Sequence, residues 1–115
     1  MEIKIIQEPI SFGEVKRIAE EQFGDLVKFV VDVERGIMAI GGDLHADEEA
    51  ILLQNGSKQS DLWGINYYPD YPDGEKIEFD SMINIRPSQG NRSRDVENME
   101  IQKRIIKIVN ELITT

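Results

Sequence analysis

Two segments with helical spacing of apolar residues lie near the two ends of this sequence, and the region between them alternates in the manner of strands. An amphipathic helix must bury its apolar stripe against another element. We therefore predict one α+β domain over residues 1–115, with a mainly antiparallel sheet and two helices packed on one face. The predicted N-terminal-half helix covers residues 11–23 and the C-terminal helix covers residues 99–113.

The first helix has the clearest boundary signals. Ser11 and Glu14 have the spacing of a capping box, and Gly24 suits the left-handed residue that often ends a helix. The last helix has an apolar stripe made of Ile101, Ile105, Ile108, Val109 and Leu112.

The strand predictions rest on period-two alternation. Residues 2–7 and 26–34 fit strands, and Arg35-Gly36 predicts a hairpin from the second of these into residues 37–40. Residues 77–86 form the clearest alternating run and predict one long strand. Residues 49–54 fit either a short helix or a strand before Leu62–Tyr67, and we favour the strand.

An antiparallel sheet can leave one face in water. With both helices on one side, the predicted strands place four polar residues on the open face: Lys28, Asp32, Asn84 and Arg86. An oligomer interface on this face is an alternative to a binding site.

Composition narrows the classes of partner. The net charge is -9 and there is no cysteine and a single histidine, so disulfides and structural zinc are not expected. A negative surface repels nucleic acid and anionic membranes, and neither is expected as a partner. The N-terminus lacks a signal-peptide pattern, so we expect a cytoplasmic location. No cofactor is predicted.

The loop 86–94 is the strongest candidate site because it concentrates arginine in an acidic chain. Guanidinium groups bind carboxylate or phosphate, and a glycine such as Gly90 allows backbone N–H groups to approach an anion. The predicted ligand-binding residues are Asn84, Arg86, Asn91, Arg92 and Arg94. The alternative is that these arginines pair with the protein's own carboxylates, and the sequence leaves both readings open.

A second cluster surrounds the single histidine. Asp43, His45 and Asp47 would share one face of an extended segment, and His45 with a neighbouring carboxylate is a candidate for acid–base catalysis. A single histidine without a recognised ligand spacing does not lead us to predict a metal site.

Three motifs carry a resemblance to a known family. They are Ala39-Ile40-Gly41-Gly42-Asp43-Leu44-His45-Ala46-Asp47, then Gly56-Ser57-Lys58-Gln59 with Asp61-Leu62-Trp63-Gly64-Ile65-Asn66, and Ile83-Asn84-Ile85-Arg86-Pro87-Ser88-Gln89-Gly90-Asn91-Arg92-Ser93. The chain resembles, over nearly its whole length, a family of short prokaryotic proteins known only as a domain of unknown function. The resemblance implies a prokaryotic single-domain protein and no particular chemistry.

Taken together, these patterns favour a binding module for an anionic small molecule or a carboxylate-bearing partner, held by the arginine-rich loop. The alternative is a metal-assisted hydrolase or lyase that uses His45 with Asp43 or Asp47. The residues do not decide whether the protein is an enzyme.

Overall fold

The structure is a computed structural model that describes residues 2–115. Its main sheet has five antiparallel strands in the order β1-β4-β3-β5-β6. These are β1 (Lys4–Ile6), β3 (Val27–Asp32), β4 (Ile37–Ile40), β5 (Leu62–Tyr67) and β6 (Ile77–Glu78). A separate parallel pair joins β2 (Ile10–Ser11) to β7 (Ile113–Thr114). The α+β fold class with a mainly antiparallel sheet is therefore confirmed.

The helices are α1 (Phe12–Glu21), α2 (His45–Gln54) and α3 (Met99–Leu112). The Ser11 hydroxyl accepts a hydrogen bond from the Glu14 N–H at 3.2 Å, as the capping box predicts. After α1, Gly24 has a φ of 95° and donates its N–H to the Ala19 carbonyl at 2.7 Å. The first helix and the third helix thus follow the predictions to within two residues at their ends.

The main core lies between one face of the sheet and helices α1 and α3. Val27, Phe29 and Val31 on β3 project into it, together with Val15 from α1 and Val109 from α3. A smaller core lies on the opposite face, where Leu52 of α2 packs with Val30, Ala39 and Leu62.

The prediction of a strand over 49–54 is wrong, because these residues belong to α2. The buried positions of this helix are His45, Glu48 and Leu52, which have helical spacing. Only one of the three is apolar, so the hydrophobic pattern did not reveal the helix.

The prediction that the second sheet face is open and polar is also wrong, because α2 covers part of it. Asp32 is fully buried, and its Oδ1 accepts hydrogen bonds from the Glu34 N–H at 3.0 Å and the Arg35 N–H at 2.9 Å. This carboxylate therefore stabilises the β3–β4 turn. Asn84 is also fully buried, while Lys28 and Arg86 are partly buried.

The predicted strand 77–86 is wrong beyond its first residues. β6 ends at Glu78, and the chain then forms a 3₁₀ turn at Met82–Asn84. The Ser81 hydroxyl begins this turn by accepting the Ile83 N–H. A polar side chain that bonds to nearby backbone competes with strand pairing, and hydrophobic periodicity alone does not show this competition.

Within residues 2–115, the three helices are too short or too polar to cross a lipid bilayer.

Candidate functional site

Arg86 lies against the protein's own backbone. Its guanidinium donates to the Gln59 carbonyl and, at 2.7 Å, to the Leu62 carbonyl. Its central carbon lies 4.2 Å from the centroid of the Trp63 ring, which is a cation–π distance. Burial lowers the pKa of this guanidinium. Through these contacts Arg86 fixes the loop to the start of β5.

Asn84 takes the place of a strand partner for β5. Its Oδ1 accepts the Gly64 N–H at 2.8 Å, and its Nδ2 donates to the Gly64 carbonyl at 3.0 Å. The same Nδ2 lies 3.0 Å from the Arg94 carbonyl. The amide thus satisfies buried backbone groups at the point where β6 has already ended.

Asn91 holds the loop closed in the same way. Its Nδ2 donates to the carbonyls of Asn84 at 2.8 Å and Asp95 at 2.7 Å, and its Oδ1 accepts the Glu97 N–H at 2.9 Å. Asn91 is 3% exposed, so both polar atoms of its amide are committed to backbone.

The remaining arginines of the loop, Arg92 and Arg94, differ in their surroundings. Arg94 forms an ion pair with Asp80, with 2.6 Å between Nε and Oδ1. Arg92 is exposed, and its guanidinium forms no ion pair within residues 2–115. The structure therefore does not gather the three arginines around one point.

A carboxylate of the protein itself occupies the loop's backbone donors. Glu97 Oε2 accepts the Arg92 N–H at 3.0 Å, the Ser93 N–H at 2.8 Å and the Ser93 hydroxyl at 2.6 Å. The Ser93 hydroxyl is the largest of the contacts that lower the pKa of Glu97. A cavity of about 250 Å³ beside the loop also has Glu97 in its wall, together with Trp63 and Asn91. An incoming anion would meet this negative charge.

His45 begins α2 and is 7% exposed. Its Nε2 lies 2.7 Å from the Ile65 carbonyl oxygen. Because a carbonyl can only accept, Nε2 carries the proton and Nδ1 of the neutral ring keeps its lone pair. Burial lowers the pKa of His45 to about 4, so the ring is neutral near pH 7.

The aspartates beside His45 do not converge with it. Asp43 and Asp47 are both exposed, and Asp43 accepts a hydrogen bond from Gln22 at 2.9 Å. Within residues 2–115, no group of three or more histidine, aspartate or glutamate side chains is placed to hold a metal ion. The helical start of α2 separates the side chains that an extended segment would have aligned.

Two glycines allow close packing: Gly64 on β5 accommodates Ser81 and His45, and Gly42 after β4 accommodates Glu48. A Cβ at Gly64 would lie 2.6 Å from both the Cβ and the Oγ of Ser81, and 3.2 Å from His45 Cγ. A Cβ at Gly42 would lie 2.8 Å from Glu48 Cγ. Such distances are shorter than van der Waals contact, so both positions require the absence of a side chain.

Glu48 is a buried acid that the sequence analysis missed. It is fully buried, and its Oε2 accepts the Gly42 N–H at 2.9 Å. Burial raises its pKa well above the usual value, so the neutral form is favoured. The signal available in the sequence was its spacing of three residues from His45, which places both side chains on one helical face.

A large cleft lies on the other side of the sheet. This cleft has a volume of about 610 Å³ and lies between the start of α1, strand β6 and the C-terminal half of α3. Its apolar walls come from Phe12, Tyr67, Ile77, Phe79, Ile106 and Ile113. Its polar lining includes Asp73, Lys76 and Asn110.

None of the sequence patterns that predicted a site indicated this cleft. The Tyr67 ring belongs to the core, because it stacks on Phe29 with 5.1 Å between centroids. The overlooked signal was Ile106, which lies outside the apolar stripe of α3 and is 39% exposed. An apolar residue beside a stripe widens the helical face that contacts other groups.

The fold and these sites define a small α+β protein with a covered antiparallel sheet and a large cleft between α1, β6 and α3. Residues 4–112 match a family model described as "Protein of unknown function (DUF5674)", and the chain belongs to this family. The match confirms the resemblance found in the sequence. Comparison with curated proteins and comparison with solved structures give no match.

Proposed function

We propose that this protein is a binding module for a small molecule, and that the ligand occupies the cleft between α1, β6 and α3. The observation that carries the proposal is the volume of about 610 Å³ with largely apolar walls. Ligand pockets in proteins commonly measure about 300–1,000 Å³ and combine apolar walls with a few polar groups.

The walls of the cleft expose apolar surface that a ligand could bury. Ile106 is 39% exposed and Phe12, Ile77 and Phe79 are only partly buried, so apolar surface is in contact with water. Covering such surface stabilises a complex by roughly 25 cal/mol per Å² before the costs of association.

The first experiment uses N-phenyl-1-naphthylamine, an uncharged fluorophore that brightens in apolar surroundings. We expect saturable binding with one site per chain. Ile106→Lys places a charge on the cleft wall and should weaken binding at least tenfold. Met99→Lys is the matched control, because Met99 lies on the same helix, is 62% exposed and does not line the cleft.

The position of the probe is checked by ¹H–¹⁵N NMR. The proposal expects the largest shifts at Ile77, Ile113 and the Asn110 side-chain amide, which line the cleft. Shifts concentrated elsewhere, or equal loss of binding in both lysine variants, would contradict it.

The anionic ligand predicted at the arginine-rich loop is a second candidate, and Arg92 supports it. This guanidinium is exposed and has no ion pair within residues 2–115, unlike that of Arg94. Inorganic phosphate should then raise the melting temperature, and Arg92→Ala should abolish this gain while the unliganded protein stays equally stable. No gain with phosphate, or strong destabilisation of the unliganded variant, would count against this site.

The alternative of a metal-assisted hydrolase or lyase has less support. Its carboxylates Asp43 and Asp47 are exposed, and His45 Nε2 is held by the Ile65 carbonyl. A cytoplasmic location also stays part of the proposal. A chain without cysteine has no need of an oxidising compartment, and cell fractionation would test the location.

A further inference from the structure

We infer that the ligand of the cleft is an uncharged aromatic ring system with a hydrogen-bond acceptor, and that the acceptor takes the proton of the Tyr67 hydroxyl. This inference rests on the proposed function, because it specifies the chemistry of a ligand in the same cleft. It follows from three features of the walls: a nearly buried donor without a partner, charged groups that are engaged or solvated, and aromatic surfaces.

The free donor belongs to Tyr67, which is 5% exposed. Its hydroxyl has no hydrogen-bond partner within residues 2–115 and is not among the completely enclosed polar atoms without partners. Tyr67 lines the cleft, and we place the open side of its hydroxyl toward the cleft. Burial raises the pKa of this phenol, which keeps it protonated and able to donate.

The charged groups on the walls are already engaged or solvated. The Lys76 ammonium donates to the Pro69 carbonyl at 2.6 Å and the Tyr71 carbonyl at 2.5 Å, and it lies 5.2 Å from the centroid of the Phe12 ring. Asp73 lies 4.0 Å from the same ammonium. An anionic ligand would find the Lys76 ammonium already engaged, and a cationic ligand would find only the solvent-exposed Asp73 carboxylate, so burying a charge in the cleft is costly. The ligand is therefore uncharged where it enters the walls.

The shape of the ligand follows from the rings that line the cleft. Phe12, Tyr67 and Phe79 supply aromatic surface, and aromatic groups pack favourably on one another in offset or edge-to-face contacts. Ile77 and Ile106 complete the apolar wall. A flat ring system can contact these surfaces and still direct one acceptor atom at the hydroxyl.

The test compares quinoline with naphthalene at pH 8, by calorimetry or NMR titration. The two molecules have nearly the same shape, and only quinoline has a ring nitrogen that accepts a hydrogen bond. We expect quinoline to bind roughly 3- to 10-fold more tightly, as one neutral hydrogen bond allows. Tyr67→Phe keeps the ring on Phe29 and removes only the hydroxyl, so it should abolish the preference.

Two further variants separate the alternatives. Tyr68→Phe removes a hydroxyl that donates to Glu78 outside the cleft, and the preference should persist. Asn110→Ala removes an exposed amide donor on the wall, and the preference should also persist. A preference that survives Tyr67→Phe, or disappears only in Asn110→Ala, overturns the inference. Equal binding of both probes also overturns it and leaves the proposed function standing, whereas no binding of either probe overturns both.

Discussion

Replacing Asn84 with alanine tests whether this residue supports the fold or binds a ligand. The side chain makes three hydrogen bonds: it accepts the Gly64 N–H and donates to the carbonyls of Gly64 and Arg94, at 2.8, 3.0 and 3.0 Å. Asn84 is fully buried, so water does not reach these groups without a change in structure. Each lost bond costs about 0.5–1.5 kcal/mol, and unsatisfied buried groups cost more, so we expect a loss of about 3 kcal/mol.

The assay is equilibrium unfolding in urea, analysed by linear extrapolation. Asn110→Ala is the control, because Asn110 is exposed and should change the free energy of unfolding by less than about 0.5 kcal/mol. Asn84→Asp should be at least as damaging as Asn84→Ala, because it removes both donors and adds a buried charge. A loss below about 1 kcal/mol in Asn84→Ala would refute the structural role and return Asn84 to the list of ligand-binding candidates.

Three further predictions concern the residues that pack against the sheet face that α2 partly covers, which are Ser81 and the α2 residues His45 and Glu48. Gly64→Ala should destabilise the protein by about 1–3 kcal/mol in thermal unfolding, because the new Cβ collides with Ser81. Adding Ser81→Gly to this variant should recover part of the lost stability. As the pH falls from 6.5 to about 4, His45 binds a proton in the unfolded chain but not in the folded chain. The free energy of unfolding should therefore drop by about 3 kcal/mol more in the parent than in His45→Asn. Parallel pH profiles of the two proteins would contradict this. The raised pKa of Glu48 means that its stabilising contribution is complete below pH 4.5 and is lost as pH rises through the folded-state value. Glu48→Gln keeps an acceptor for the Gly42 N–H and should be more stable than the parent at pH 8, with the advantage vanishing at pH 4.

Local signals predicted the elements whose apolar residues keep one period. Helices α1 and α3 and the β3–β4 hairpin follow directly from spacing, capping and turn residues. In the arginine-rich loop, Arg86 and Asn91 hold several backbone groups of the protein itself. Whether the loop also binds an anion stays a prediction that depends on Arg92.

Local signals failed where polar side chains replace backbone hydrogen bonds or occupy buried positions. The buried face of α2 consists of His45, Glu48 and Leu52, and two of these would normally be read as solvent-facing. The Asn84 amide makes the hydrogen bonds to β5 that a neighbouring strand would make. The alternating residues 77–86 therefore form a turn at Met82–Asn84 where a strand was predicted. In both cases a distant partner satisfies the polar group, and no local pattern contains that partner.

The sequence alone determined the class of fold, because amphipathic periods and caps are properties of neighbouring residues. Only the tertiary structure decided where chemistry is available. It joined Phe12, Tyr67 and Ile106 into one cleft although they are far apart in the chain. It also engaged Arg86 with backbone carbonyls and Arg94 with Asp80, which left Arg92 exposed. Whether a polar atom is free or committed depends on partners brought in by folding, and that information is absent from residue spacing.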